Sequence, residues 1–206
     1  MRIIEPYSEI IGDIDGDAIL REIELIGRVC YKSEDKITSD SSKVFVGKIL
    51  KSGHESVIEH SRVTVKFICD RGVSHEIVRH RIASYSQEST RYCNYCKDKF
   101  GKELTLIKPF YWNDDINKFT IWKKTMQEIE NSYNILIESG AKPEEARSIL
   151  PNSLKTELVV TMNLREWRHF FKLRTSERAH PQMRQLTIPL LIKFKKIIPV
   201  IFDEII

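Results

Sequence analysis

Apolar residues recur at intervals of three and four along two long segments of this 206-residue chain, which is the spacing of one face of a helix. The first segment predicts a helix over residues 18–31. The second, residues 119–136, predicts a longer helix whose apolar stripe packs on another helix, within the subunit or across an interface. Gly140 is suited to the end of this longer helix, and Pro143 to the first turn of the next.

Strand-like alternation of apolar and polar residues is clearest between Arg62 and Cys69. Shorter strands are predicted at residues 3–4, 104–107 and 154–162, and further helices at residues 42–50, 73–81, 164–173 and from Pro181 onward. Pro189 and Pro199 are expected to kink or end the last helix. Strands and helices are mixed without a regular alternation, which predicts a single α+β domain over residues 1–206, with a mostly antiparallel β-sheet packed with helices.

The composition is that of an ordinary soluble protein, with 41% hydrophobic and 30% charged residues. A net charge of +4 is too small to indicate nucleic-acid binding by itself, although it suits a site that collects phosphates. The sequence contains neither a signal-like start nor an apolar run long enough to cross a bilayer, so we expect a cytoplasmic protein without a membrane partner.

The segment from Arg79 to Arg91 carries the strongest chemical signal. It opens with Arg79-His80-Arg81 and continues, after a spacer of seven residues, with Ser89-Thr90-Arg91. A guanidinium offers a planar fork of donors suited to phosphate, and Ser, Thr and Gln add neutral hydrogen bonds and backbone amides. This mixture predicts a nucleotide site. The first three residues of the segment end the helix predicted at residues 73–81, and the rest form the loop into which that helix leads.

The residues in and before this segment are also compatible with two other functions. His75 and His80 are five residues apart, which places them about 140° apart around a helix, so they do not form a metalloprotease pair. His54 and His60 are separated by six residues and fail in the same way on a helix, which leaves a metal hydrolase as a weak alternative and predicts no metal site. A basic RNA-binding module remains a second alternative, because tyrosines that could stack on bases accompany the arginines, at positions Tyr85, Tyr92 and Tyr95.

The predicted helix at residues 164–173 has a basic polar face. Arg165, His169 and Lys172 are spaced by four and three residues and share that face, and Arg174 lies where the helix ends. These side chains are either solvent-exposed charges or ligand contacts, and the spacing alone does not distinguish the two. Cys93 and Cys96 form a C-x-x-C pair without a second pair, and two small reduced thiols are the favoured interpretation.

The segment Arg79-His80-Arg81, seven residues, then Ser89 and Arg91 resembles the signature of the flavin-dependent thymidylate synthases. The resemblance continues in order over most of the chain, through residues 53–60, 146–151, 163–165 and 173–174. It implies an enzyme that makes dTMP from dUMP with methylenetetrahydrofolate as carbon donor, FAD as hydride carrier and NADPH as reductant. It also implies a homotetramer whose active sites lie at subunit interfaces, and no nucleic-acid partner.

The resemblance further implies individual roles for residues of this chain. Arg174 is the expected catalytic group, which stabilises negative charge on the uracil ring. The expected flavin contacts are His54, Ser56, Arg79, His80, Arg81, Gln87, Asn163, Leu164, Arg165 and His169. The expected dUMP contacts are Glu76, Arg79, Gln87, Glu88, Ser89, Thr90, Arg91, Arg147 and Arg174. Glu76 stands where many relatives have Gln, and His169 stands where Asn is common.

Overall fold

The computed structural model describes residues 1–98 and 101–205 as an assembly of short strands and longer helices. The strands are β1 (Arg2–Ile4), β2 (Tyr7–Ile10), β3 (Arg62–Asp70), β4 (Ala83–Gln87), β5 (Thr105–Ile107) and β6 (Lys155–Asn163). The helices are α1 (Gly16–Val29), α2 (Ser41–Lys51), α3 (Arg71–Ile77), α4 (Ile116–Glu138), α5 (Pro143–Ala146), α6 (Leu164–Arg174), α7 (Pro181–Ile197) and α8 (Pro199–Phe202). Single 3₁₀ turns lie at Glu34–Lys36, Glu55–Glu59, Phe110–Trp112 and Arg147–Ile149.

The strands form two sheets. β1 pairs in parallel with β5, with Ile3 opposite Leu106. The larger sheet has the strand order β2-β3-β6-β4, and the strand pairing is mostly antiparallel overall. The α+β class with a mostly antiparallel sheet is therefore confirmed.

The chain divides into two compact units. Unit 1 comprises residues 1–7, 67–79 and 85–159, and unit 2 comprises residues 8–66, 80–84 and 160–206. The single domain expected from the sequence stays a prediction.

The core of unit 1 is built on the buried face of α4. Trp122, Met126 and Tyr133 from this face pack with buried residues such as Leu106 and Leu154. The Trp122 indole N–H donates to Ser153 Oγ at 3.1 Å, so its one polar atom is satisfied. The apolar stripe of the long helix is thus core, and it packs on strand and loop residues as well as on α5.

The core of unit 2 is an aromatic cluster around α6. Trp167, Phe170 and Phe171 from α6 are fully buried. Phe194 of α7 and Phe202 of α8 pack against this cluster with edge-on or tilted rings, and neighbouring ring centroids of the whole cluster are 5.0–5.9 Å apart. The Trp167 indole donates to the Val63 carbonyl at 3.0 Å. This packing fixes one face of α6, so that the polar face described from the sequence points away from the core.

The segment that follows β3 differs from its prediction. The helix expected over residues 73–81 is α3, which runs from Arg71 to Ile77 and so both begins and ends earlier than predicted. It begins at Arg71 because the Asp70 carboxylate caps it by accepting from the Val73 backbone N–H at 2.7 Å. The expected loop after it contains strand β4, which lies at the edge of the larger sheet. Its polar sequence lacks apolar alternation, so only the pairing with β6 reveals the strand.

Two further differences concern the ends of the chain. Strand β2 was not predicted, because its four residues are too few for a periodic pattern. Pro189 does not end α7, because the helix continues to Ile197 with buried side chains on both sides of the proline, Leu186, Leu190 and Phe194; a kink at Pro189 stays a prediction. Pro199 does follow the end of α7, and it opens α8. Among the described residues, no helix combines the length and apolar character that a membrane span requires.

The capping of α3 gives a first testable expectation. Replacing Asp70 with Ala removes the acceptor for the Val73 N–H, so we expect the free energy of unfolding to fall by about 1 kcal/mol. Urea denaturation followed by circular dichroism measures the change. Asp70→Asn retains a capping oxygen and should lose clearly less stability; equal losses in the two variants would contradict the capping role.

Candidate active site

The basic run Arg79-His80-Arg81 separates into outward and inward side chains. Arg79 and Arg81 are exposed, whereas His80 is buried, with its ring 4.9 Å from the Phe170 ring and nearly perpendicular to it. The two guanidinium groups are therefore open to a ligand from solvent, and the imidazole is part of the interior of unit 2.

His80 lies between a carboxylate and a guanidinium, both supplied by α6. Its Nδ1 is 3.1 Å from Glu166 Oε1, and its Nε2 is 3.1 Å from the Arg174 Nε that donates to it. Burial lowers the pKa of His80; the hydrogen bond with Glu166 opposes this shift, and the charge of Arg174 adds to it. Glu166 was missed by the sequence analysis, although its position three residues after the helix cap Asn163 is a usual place for a carboxylate.

A cavity of about 430 Å³ in unit 2 brings together three of the predicted flavin contacts, Asn163, Arg165 and His169. It is also lined by residues that the sequence analysis did not select: Glu55, Glu59, Ile82, Glu166, Arg168 and Lys172. Arg165 is half-exposed and its Nη1 donates to Glu59 Oε1 at 2.5 Å. The polar face of α6 therefore lines a cavity that contains acidic as well as basic groups.

The remaining predicted flavin contacts of unit 2 have different surroundings. His54 is exposed, and its Nδ1 lies 2.9 Å from the Tyr31 hydroxyl. Ser56 is exposed in the 3₁₀ turn, whereas the Leu164 side chain is fully buried, so only the backbone of Leu164 can reach a ligand. Asn163 caps α6 through its Oδ1, which accepts from the Glu166 N–H at 2.8 Å.

A larger cavity, of about 750 Å³, lies in unit 1 beside Gln87 and Glu88. Lys155 binds Glu88 Oε2 at 2.9 Å and Glu157 Oε1 at 2.6 Å. Burial disfavours the charged form of Lys155, but the hydrogen bonds with Glu157 and Glu88 outweigh this effect and raise the pKa of Lys155. Glu88 also accepts from the Tyr95 hydroxyl at 3.1 Å, so it is held in a network that the sequence analysis did not find.

Gln87 is also tied to its own unit. Its Nε2 donates to Ser74 Oγ at 2.9 Å and to Thr156 Oγ1 at 3.3 Å. These bonds link β4 to α3 and β6, which fixes the start of the segment that continues to Arg91.

A smaller cavity in unit 1, of about 250 Å³, is basic. Arg71 and His75 line it together with the predicted dUMP contacts Thr90 and Arg147. Arg71 was not selected from the sequence; its Nη1 donates to the Glu88 carbonyl at 3.2 Å, which orients it. Two guanidinium groups on one small cavity favour a doubly charged anion such as a phosphate monoester.

Seven of the nine predicted dUMP contacts are not among the residues that line this basic cavity, and Glu76, Ser89 and Arg91 are three of these seven. The Arg91 backbone N–H donates to Ser89 Oγ at 3.3 Å, and the Arg91 side chain is exposed, 3.6 Å from Glu144. Glu76, at the end of α3, is partly buried. An exposed ion pair such as Arg91–Glu144 contributes little to stability, so Arg91 can exchange its partner for a ligand.

One group of side chains in unit 2 has the composition of a metal site. Ligand atoms of His80, Glu166 and His169 lie within 4.8 Å of one another. However, the guanidinium of Arg174 donates to His80 Nε2, and a cation bound to that nitrogen would displace it or be repelled by it. The charge distribution therefore opposes a metal ion here.

The sequence matches the protein family described as "Thymidylate synthase complementing protein" over residues 16–200. A flavin-dependent thymidylate synthase of Geobacter sulfurreducens is 36% identical over 189 residues, which cover 88% of this chain and 80% of the relative. An enzyme of the same name from Pyrococcus furiosus is 39% identical over 171 residues, 82% of this chain and 69% of the relative. That of Pyrococcus abyssi is 39% identical over 166 residues, 80% of this chain and 67% of the relative. The resemblance carried by residues 79–91 is thus confirmed along most of the sequence, and the chain belongs to the flavin-dependent thymidylate synthase family.

Proposed function

We propose that this chain catalyses the reductive methylation of dUMP to dTMP, with methylenetetrahydrofolate as carbon donor and FAD, reduced by NADPH, as hydride source. The observation that carries the proposal is the family match over residues 16–200, within which the segment from Arg79 to Arg91 keeps every residue of the nucleotide signature. The basic cavity of unit 1 and the polar cavity of unit 2 support it, because the reaction needs sites for two phosphate-bearing molecules.

The residues present fit a flavin dinucleotide. Exposed Arg79 and Arg81 and half-exposed Arg165 supply fork donors for its diphosphate, and Asn163 and His169 supply further polar contacts. Arg165 is paired with Glu59, but an ion pair on the surface contributes little to stability, so a diphosphate can replace the carboxylate. When bound, FAD supplies the hydride chemistry. Further flavin contacts of the proposal are His54, Ser56, Gln87 and the backbones of His80 and Leu164.

The proposed dUMP site uses the segment from Gln87 to Arg91. Ser89 and Arg91 bind the phosphate together with Arg147, whose cavity contains the second guanidinium of Arg71. The Glu88 carboxylate is held by Lys155 and Tyr95, and Glu88 lines the larger cavity of unit 1, where the proposal places its contribution to dUMP binding. Glu76 faces the 3′-hydroxyl of the deoxyribose in this proposal, because a carboxylate would repel the phosphate.

Arg174 has the one role in the proposal that concerns the reacting ring. A guanidinium stays protonated and cannot act as a base, so it stabilises the negative charge that develops when the uracil ring is activated. Its Nε donates to His80 Nε2 at 3.1 Å, and this contact orients the guanidinium.

The proposal includes assembly into a homotetramer located in the cytoplasm, with active sites at subunit interfaces. Exposed apolar side chains on α4, such as Ile121 and Ile135, support an oligomer, since exposed apolar groups on one helix commonly mark contacts with another chain.

The function is tested with the purified chain in two steps. Absorbance near the flavin bands after incubation with FAD and gel filtration measures cofactor binding. Conversion of dUMP to dTMP is then followed with FAD, NADPH and methylenetetrahydrofolate, and with each component omitted in turn. We expect bound flavin and dTMP formation only in the complete mixture; a colourless protein, or one that binds flavin without forming dTMP, would refute the proposal.

A further inference from the structure

The three side chains Glu166, His80 and Arg174 form a series whose hydrogen-bond direction follows from their chemistry. A guanidinium has donors and no acceptor, so the 3.1 Å contact from Arg174 Nε requires a lone pair on His80 Nε2. A neutral imidazole has a single N–H, which must then be on Nδ1. The 3.1 Å contact between Nδ1 and Glu166 Oε1 is therefore a donation from histidine to carboxylate.

We propose that Glu166 is a positioning residue that holds His80 in its Nδ1–H tautomer, so that His80 Nε2 accepts from Arg174 and fixes the orientation of the catalytic guanidinium. The inference rests on the proposed function, which gives Arg174 its role at the uracil ring. Glu166 acts through His80 and does not need to contact substrate or flavin.

The surroundings restrict each member of the series. Glu166 and His80 are buried, so water does not compete freely for their hydrogen bonds. The carboxylate lies in the first turn of α6, where the helix dipole favours negative charge, and the Glu166 backbone is fixed by the Asn163 cap. The Phe170 ring packs edge-on against the imidazole, which limits rotation of the His80 side chain.

Protonation of His80 would break the series. The charged or titratable groups that act on His80 are Glu166, Arg174 and His169. Burial, followed by the charges of Arg174 and His169, lowers the pKa of His80 below the ordinary 6.5, and Glu166 raises it only in part. The imidazole is consequently neutral at pH 7; as the pH falls through this lowered pKa, Nε2 gains a proton and no longer accepts from Arg174. Activity should therefore decline on the acidic side, below pH 6.5.

The tautomer is measured directly by ¹⁵N-histidine NMR of the full chain at neutral pH. The chain has six histidines, and the His80 signals are assigned by their loss in His80→Gln. We expect a protonated Nδ1 and an unprotonated Nε2 in the wild type, and loss of this preference in Glu166→Leu. An Nε2–H tautomer or an imidazolium in the wild type would overturn the proposal, and so would an unchanged tautomer in Glu166→Leu. The wild-type spectrum alone can refute it if a variant does not fold.

Kinetics separate a positioning role from a structural one. Glu166→Leu, which cannot accept from His80 Nδ1–H, should lower kcat for dTMP formation by roughly 10- to 100-fold, with little change in the KM for dUMP. Glu166→Gln keeps an acceptor oxygen and should retain clearly more activity. Because the carboxylate raises the pKa of His80, its removal should also shift the acidic decline to lower pH. Glu177→Gln, an exposed glutamate beyond α6, is the matched control and should behave as the wild type.

Three outcomes decide the kinetic test. A Glu166→Leu enzyme with wild-type kcat contradicts the proposal, and so does a loss of rate in that variant without movement of the acidic limb. Zinc binding by the purified chain, with loss of the rate on treatment with EDTA, would replace it with a metal site at His80, Glu166 and His169. A wild-type chain that forms no dTMP would refute the proposed function, while the NMR measurement would still decide whether Glu166 sets the tautomer.

Discussion

Arg174→Ala should lower the rate of dTMP formation by about 10²- to 10³-fold or more, while flavin remains bound. Removal of a preorganised donor from a developing anion has an effect of this size in other enzymes, because water cannot take over the role at the moment of reaction. The fold should survive the change: the Arg174 carbonyl accepts from Thr187 Oγ1 at 2.8 Å and Ala keeps it, and the aromatic core of α6 is not touched.

The measurement is a steady-state assay of dTMP combined with a flavin spectrum of the same sample. Arg178→Ala removes an exposed arginine shortly after α6 and should keep the wild-type rate. Arg174→Lys retains the positive charge without the planar fork, so we expect an intermediate rate. Turnover at the wild-type level in Arg174→Ala would remove the residue from its proposed role, and loss of flavin would indicate a binding role instead.

Arg147→Ala should raise the KM for dUMP by roughly 10- to 100-fold and change kcat much less. Arg147 lines the basic cavity of unit 1, and each fork contact with a phosphate is a charge-assisted hydrogen bond that ground state and transition state share. Loss of such uniform binding appears in KM and not in kcat. The side chain is exposed at the 3₁₀ turn after α5, so its removal should not affect folding.

Two comparisons make this second prediction specific. Lys124→Ala removes an exposed positive charge from α4, remote in sequence from the signature, and should leave the KM unchanged. Since the interaction is electrostatic, the wild-type KM should rise with ionic strength more steeply than that of Arg147→Ala. A KM equal to that of the wild type would place the dUMP phosphate elsewhere.

The elements of the fold that could be predicted from the sequence are those whose own periodicity is strong. The helix α4 and the strand β3 were predicted within a few residues, because each buries one face and repeats its apolar residues accordingly. Strand β4 could not be predicted, since its residues are mostly polar and its pairing partner β6 is distant in the sequence. The early start of α3 depends on a single capping contact of Asp70, which outweighs the glycine in its first turn.

The candidate site shows the same division. From the sequence, Arg79, His80, Arg165 and Arg174 were predicted to contact ligands. The structure shows which of these side chains are paired with other side chains of the same chain. Arg165 is paired with Glu59, and His80 is buried between Glu166 and Arg174, whereas Arg79 is exposed. Exposure and pairing depend on the surroundings of a side chain in three dimensions, so residue type and spacing could not predict them.

By itself the sequence determined the family, the chemical character of the segment from Arg79 to Arg91, and the amphipathic elements that build both cores. Those properties are local, since a signature and a helical period are complete within a short stretch of chain. Only the tertiary structure decided that Glu166 and Arg174 meet on the two nitrogens of His80, across separations of 86 and 94 residues. The packing of α6 on its aromatic core sets those contacts, and the direction of each hydrogen bond then follows from the fact that a guanidinium can only donate.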